Sequence, residues 1–299
     1  MEMLPLSLAE ILGYESQPFI LNSQRIKKFN NREGIEAKEL FQYIVKGMYP
    51  ELYKEKNKVT SDYYENYMNT YIDRDISELI NIKDKLKFHS FLQYLAAPTS
   101  QQINASELGR KIGVTYKTIN HWLYILVATG IIYFLQPYND LSIVKGVIKS
   151  PKIYFSDTGL AAYLARLNQS EILLISNFSG AFNENFIMNE IRKSFINNKL
   201  AFHAYYYRDV NQNEIDLVLL YDGQLSLIDI KQGVSFHLSD VKSFHQLENS
   251  MYPIMNQIIV CNTLENYPLS PDVKLFFLNV FKSSFYRFKE ISFSIVLCN

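Results

Sequence analysis

The sequence predicts an α+β fold with a mixed central sheet, and three patterns carry that expectation. The first 85 residues read as helices, among them Ala37 to Lys46 and Asp62 to Ile80. The middle of the chain places a short helix, a glycine turn and a second, capped helix ahead of two apolar strands. The final third runs helix, strand, hairpin, helix, strand. No internal repeat or low-complexity linker is visible, and the patterns divide the 299 residues into units 1–85, 86–160 and 161–299. A chain of this length with 48% hydrophobic residues can bury more than one core.

In the middle unit, Ser106 to Ile112 forms the first helix and Gly113 turns the chain. Thr115 caps a second helix that runs to about Ala128, and Gly130 ends it. Ile119, Leu123 and Leu126 make its inward stripe, which leaves Tyr116, Lys117, Asn120, His121 and Tyr124 outside. Ile131 to Leu135 and Ile153 to Phe155 then read as the strands of a wing, and Asp157 as the cap of a helix from Gly159 to Leu167. Together these form a winged helix-turn-helix pattern. Between Gln101 and Lys152, six basic side chains, Lys149 among them, stand against two acidic ones, a balance that suits phosphate contacts. Tyr116, Lys117, Asn120, His121 and Lys149 are therefore the candidate nucleic-acid contacts. The same face could equally dock a protein.

The last unit carries the chemistry. Asp222-Gly223 separates two apolar runs and signals a hairpin with a two-residue turn. Pairing Tyr221 with Gln224 and counting back puts Asp216 opposite Asp229 and Glu214 opposite Lys231. By simple alternation all four share a face with Val218, Leu220, Leu225 and Leu227, which then need cover from another element. Directly opposed carboxylates, with Cβ atoms about 5 Å apart, repel, and a divalent ion such as Mg²⁺ would compensate. Lys231 could then orient a water or meet developing negative charge, and Glu214 could tune Lys231 by pairing with it. Upstream, Gly180 to Leu200 reads as a helix with Ile187, Met188, Ile191 and Phe195 on one stripe. Glu184 lies on that stripe and can reach the cluster. Asp240 to Met251 and Gln257 to Cys261 supply the following helix and strand, with Gln246 a further polar group on that helix.

These residues resemble a known pattern. A helix with Glu184, a strand with Asp216, then Asp229-Ile230-Lys231 looks like the PD-(D/E)xK nuclease superfamily of metal-dependent phosphodiesterases. A longer resemblance rests on Tyr71-Ile72-Asp73-Arg74-Asp75, on Lys152-Ile153-Tyr154-Phe155-Ser156-Asp157-Thr158-Gly159-Leu160, on Gly180 to Phe186, and on Tyr207-Arg208 ahead of Glu214-Ile215-Asp216. Over roughly residues 60 to 280 the chain is similar to the domain of unknown function 4143 family. In that family a nuclease-like domain follows a winged helix and an AAA-type ATPase domain of prokaryotic proteins. The resemblance implies Glu184, Asp216, Asp229 and Lys231 as catalytic residues, with Glu184, Asp216 and Asp229 as ligands of Mg²⁺. No Gly-Lys pair occurs, so the phosphate-cradling loop of the ATPase is missing. Met3 to Glu10 resembles the stretch after the nucleotide-binding core, and Gly47-Met48-Tyr49-Pro50-Glu51-Leu52 the later lid. The first unit is then an ATPase-lid remnant and the last a nuclease-like domain, with no ATP hydrolysis expected from this polypeptide.

Composition bounds the alternatives. Thirty basic and thirty acidic residues cancel, which argues against a protein that coats nucleic acid broadly. Two cysteines, Cys261 and Cys298, have no paired spacing and suit a reducing cytoplasm. No apolar run approaches the roughly 18 residues of a membrane helix. The five histidines lack metal-ligand spacing, and no Gly-x-Ser-x-Gly elbow occurs. Two functions fit: DNA binding with Mg²⁺-dependent phosphodiester cleavage, or a non-catalytic nucleic-acid- or protein-binding module that works with a separate ATPase. The apolar end, Ile295-Val296-Leu297-Cys298, could promote self-association.

Overall fold

The computed structural model describes residues 3–20, 35–54, 58–76, 84–139, 150–233, 235–261, 269 and 273–277, and only the backbone of Asp73, Asp75 and 274–277. Lys149, the end of the expected Asp62–Ile80 helix and the apolar tail from Phe281 lie outside the described residues.

Helices dominate the first third. α1 (Leu8–Ile11) opens with a Ser7/Glu10 capping box and is followed by α2 (Ala37–Lys46), α3 (Glu51–Lys54) and α4 (Thr60–Tyr67). α4 widens into a π-helical stretch over Met68–Ile76, and α5 (Lys85–Ala96) follows. α2 ends at Gly47, whose φ of 77° is open to glycine at little cost. A Cβ on Gly47 would meet the Tyr64 hydroxyl at 1.9 Å and Asp157 at 2.5 Å. No side chain but hydrogen fits there.

The paired helices fall where the sequence puts them. α6 (Ala105–Ile112) is capped by Asn104 and ends at left-handed Gly113; α7 (Tyr116–Ala128) starts from Thr115, whose hydroxyl accepts from the Thr118 amide. Ile119, Leu123 and Leu126 are buried, and so are Trp122 and Ile125. The strands after them, β2 (Ile132–Pro137) and β3 (Lys152–Phe155), pair antiparallel, and the short β1 (Gln101–Gln102) adds to β3. Asp157 caps α8 (Thr158–Leu164) as expected. α9 (Ser170–Ile175) and the long α10 (Ser179–Ile196) follow.

The sheet is mixed. β4 (His203–Arg208), β5 (Glu214–Tyr221) and β6 (Gln224–Ile230) form an antiparallel run, and β7 (Ile254–Cys261) and β8 (Val273–Phe277) continue it in parallel. Strand order is β1-β3-β2-β4-β5-β6-β7-β8, so β2 lies parallel to β4 and joins the strands behind the paired helices to the hairpin. On one face a large apolar cluster links Phe41, Phe88, Trp122, Phe182, Leu217 and Ile258. On the other, Val218, Leu225 and Leu227 pack under Val241 and Phe244 of a 3₁₀ helix, Leu238–Leu247, which stands where an α-helix from Asp240 to Met251 is expected. Among the described residues no helix is long and apolar enough to cross a membrane.

Candidate functional site

The hairpin turn is as predicted, and the strand that leads into it is not. Asp222 and Gly223 have φ of 51° and 69°, the pair of positive values a tight hairpin turn needs. The register runs from Tyr221↔Gln224 to Leu217↔Ile228. On the other side of β5, however, Tyr205 pairs with Val218 and Tyr207 with Ile215. Tyr206 alone therefore faces both Asp216 and Leu217, a β-bulge that inverts the alternation. Ile215 and Val218 belong to the cluster under the 3₁₀ helix, whereas Leu217 and Leu219 belong to the cluster under α10.

Two expectations are corrected by that bulge. Glu214 and Asp216 reach toward Lys152 on the α10 side of the sheet, not the side of Val218, Leu220, Leu225 and Leu227. Nor does Glu214 meet Lys231. Glu214 is drawn to the β4 side, with its carboxylate 3.2 Å from Arg208 and 2.7 Å from Lys152. Lys231 follows β6 toward β7, where its amide donates to the Val260 carbonyl, and its ammonium sits 3.4 Å from Asp229.

Asp216 and Asp229 are neighbours, as counted. The Asp216 amide donates to Asp229 Oδ1 at 3.4 Å, and the Ile230 amide donates to Asp216 Oδ2 at 2.8 Å. Each carboxylate thus takes over a backbone partner where the regular ladder stops. Asp229 is 1% exposed. Burial first, and then the Asp216 charge, holds its carboxyl well above the usual range.

α10 brings the third carboxylate. Its docking is specified by amides: Asn185 accepts from the Phe155 amide and donates to the Phe155 carbonyl, and Asn189 donates to the carbonyls of Phe155 and Ser156. These bonds satisfy the end of β3 and set Glu184 beside the start of the same strand. Glu184 Oε1 accepts from Lys152 Nζ at 2.9 Å and from the Tyr154 hydroxyl at 2.5 Å. Burial, partly opposed by Lys152, pushes the Glu184 carboxyl up to about 7.

Lys152 is the residue the sequence reading passed over as a site group. Its side chain is 3% exposed and its ammonium lies 2.7 Å from Glu214, 2.9 Å from Glu184 and 3.6 Å from Asp216. Burial alone would lower its pKa; Glu184, Asp216 and Glu214 outweigh that and raise it. Tyr154 and Arg208 are likewise new members of the cluster. The available signal was a lysine directly ahead of the apolar Ile153-Tyr154-Phe155 run, in a strand whose four residues are all buried.

A cavity of about 510 Å³ opens onto this cluster, lined by Lys152, Glu184, Arg208, Glu214, Asp216 and Lys231 among others. Gln246 is exposed and does not line it. Tyr116, Lys117, Asn120 and His121 are exposed on α7 and do not line it either. Asp216 and Asp229 offer carboxylate oxygens, the donors Mg²⁺ prefers. Glu184, however, is engaged by Lys152 and Tyr154. Among the described residues no three His, Cys, Asp or Glu side chains are grouped to hold a metal ion. This arrangement does not fit the three-carboxylate magnesium site that the resemblance implies.

Comparison with known proteins agrees with part of the sequence reading. Residues 179–280 match the family described as domain of unknown function DUF4143. Residues 37–171 match a second, domain of unknown function DUF8612. Two curated relatives are the uncharacterized proteins Rv2008c of Mycobacterium tuberculosis and Mb2031c of Mycobacterium bovis. Each is 26% identical over 186 residues, which cover 62% of this chain and 41% of the relative. The chain therefore spans less than half the length of the curated relatives it matches. No solved structure matches it.

Proposed function

We propose that this chain, with its DUF4143 domain at residues 179–280, is the C-terminal portion of an AAA-type ATPase family protein and acts as a DNA-binding part of that system. These 299 residues hold no Gly-Lys pair for a phosphate loop, so ATP hydrolysis is not assigned to them. The observation that carries the reading is the outer face of α7. Tyr116, Lys117, Asn120, His121 and Tyr124 are all exposed along one side of a helix whose other side is buried. In a winged helix this is the face that enters the major groove, with amide, imidazole and hydroxyl groups for base edges and lysine for phosphate. Arg110 and Lys111 at the exposed end of α6 add positive charge nearby.

Fluorescence anisotropy with a labelled duplex across a salt series tests this. Affinity should fall steeply with salt, and Lys117→Ala should weaken binding and reduce the log–log salt slope by about 1. Duplex binding unchanged in both Lys117→Ala and Asn120→Ala would remove the assignment and leave the face as a protein-docking surface.

A second reading is Mg²⁺-dependent phosphodiester cleavage at Glu184, Asp216, Asp229 and Lys231. Its one support is that these residues lie close together beside the hairpin. It requires Lys152 to leave the carboxylates it now pairs with, so it and a metal-free cluster exclude each other. A plasmid and oligonucleotide assay with Mg²⁺ decides it: cleavage lost in Asp216→Ala would establish a nuclease, and no cleavage in wild type leaves the binding module.

A further inference from the structure

The carboxylates beside the cavity are gathered on an ammonium that comes from another part of the fold. Glu184 stands on α10, and Glu214 and Asp216 on β5, all inside the DUF4143 domain. Lys152 stands at the start of β3, in the strand pair that follows the paired helices. Its Nζ is within 2.7 to 3.6 Å of three of the carboxylates, and 5.6 Å above the Tyr206 ring. The fourth, Asp229, pairs with Lys231. Each carboxylate therefore has a cationic partner supplied by the chain itself.

That geometry leaves a divalent ion without a place. Mg²⁺ needs its oxygen ligands at about 2.1 Å in an octahedral shell, and the point where Glu184, Glu214 and Asp216 converge is filled by a buried ammonium. Lys152 is also held from both sides. Its strand is paired with β1 and β2, and the Phe155 backbone at the strand's far end is clamped by Asn185 and Asn189. We propose that Lys152 takes the place of the divalent cation in this cluster, as an internal counter-ion delivered by β3, so that the carboxylates are assembled without metal. The seating of β3 then sets the state of the cluster, and the strand pair behind α7 is tied to the DUF4143 domain by charge as well as by the sheet. The inference rests on these distances and not on the DNA reading, which can fail in the anisotropy experiment without touching it.

Calorimetric titration of Mn²⁺ into wild type, Lys152→Met and the Lys152→Met/Asp216→Asn double variant tests the substitution. Wild type should show no carboxylate-dependent Mn²⁺ binding up to millimolar concentrations. Lys152→Met should gain a Mn²⁺ site, and the double variant should lose it again. Wild type binding Mn²⁺ as tightly as Lys152→Met, or folded Lys152→Met gaining nothing, would overturn the proposal. Should circular dichroism show Lys152→Met unfolded, wild type alone still decides. Amine acetylation followed by mass spectrometry should leave Lys152 unmodified with or without Mn²⁺, and labelling of Lys152 induced by Mn²⁺ would mean the metal displaces it.

Discussion

Two buried polar centres sit at either end of the segment from Lys152 to Asp157, and they are stabilised in opposite ways. Asp157 is surrounded by neutral donors: the Met48 amide at 2.6 Å, the Tyr64 hydroxyl at 2.7 Å and the Leu160 amide at 2.8 Å. Burial raises its pKa, and these three bonds work against that shift. Lys152 is instead surrounded by charges, with Glu184, Glu214 and Asp216 around it and an open cavity alongside. The first centre joins α2, α4 and α8 in a fixed geometry, where Gly47 and Gly159 come so close that neither admits a Cβ. The second joins strands and a helix through ions that a ligand in the cavity can reach. The difference separates a packing device from a site, although both are acidic and buried.

Loss of the Asp157 side chain should give the largest effect. Asp157→Ala strands the buried Met48 and Leu160 amides and leaves the Tyr64 hydroxyl only the Lys46 carbonyl at 3.1 Å. It should destabilise the fold by about 3 kcal/mol or more, read from urea midpoints. Asp157→Asn retains an acceptor and should cost less than half of that. Lys152→Gln comes next, at about 3 kcal/mol, because it leaves several buried carboxylates without their cation. A smaller cost for Lys152→Gln than for Lys231→Ala would break the contrast drawn here. Lys231 is 39% exposed and pairs with one carboxylate at 3.4 Å, and buried Asp229, already held well above the usual range, can take a proton in its place. Its loss should therefore cost less than that of Lys152, about 1–2 kcal/mol.

The pH dependence sharpens the same contrast. Glu184 is pushed up to about 7 from an ordinary 4.5. Between about pH 4.5 and about pH 7 the folded chain therefore holds a proton on Glu184 that the unfolded chain has released. Its contribution to stability is fully present below the unfolded value and is lost as pH rises through about 7. Glu184→Gln should flatten that fall between about pH 5 and about pH 8, by on the order of 2 kcal/mol. Chemical denaturation at the two pH values checks it, and an unchanged slope would mean that Glu184 does not carry the proton.

Local chemistry was legible in the sequence, and long-range placement was not. The Asp222-Gly223 turn, the Thr115 and Asp157 caps, and the inward stripe of α7 all follow from residues within a few positions of one another. The proximity of Asp216 and Asp229 followed from a two-residue turn that fixes the register. The bulge did not, because it depends on how Tyr205 and Tyr207 pair with β5, and alternation within one hairpin cannot see the third strand. Lys152 escaped for a related reason. It reads as a wing residue, and only the parallel pairing of β2 with β4 and the clamp of Asn185 on Phe155 carry it to carboxylates far along the chain.

The central claim is that an ammonium, not a metal, neutralises this cluster, and anomalous diffraction at the manganese edge from crystals soaked in Mn²⁺ tests it most directly. The account predicts no anomalous peak among Glu184, Asp216 and Asp229, with the Lys152 ammonium in place between Glu184 and Glu214. A manganese peak bridging Asp216 and Asp229, with Lys152 turned away, would contradict it.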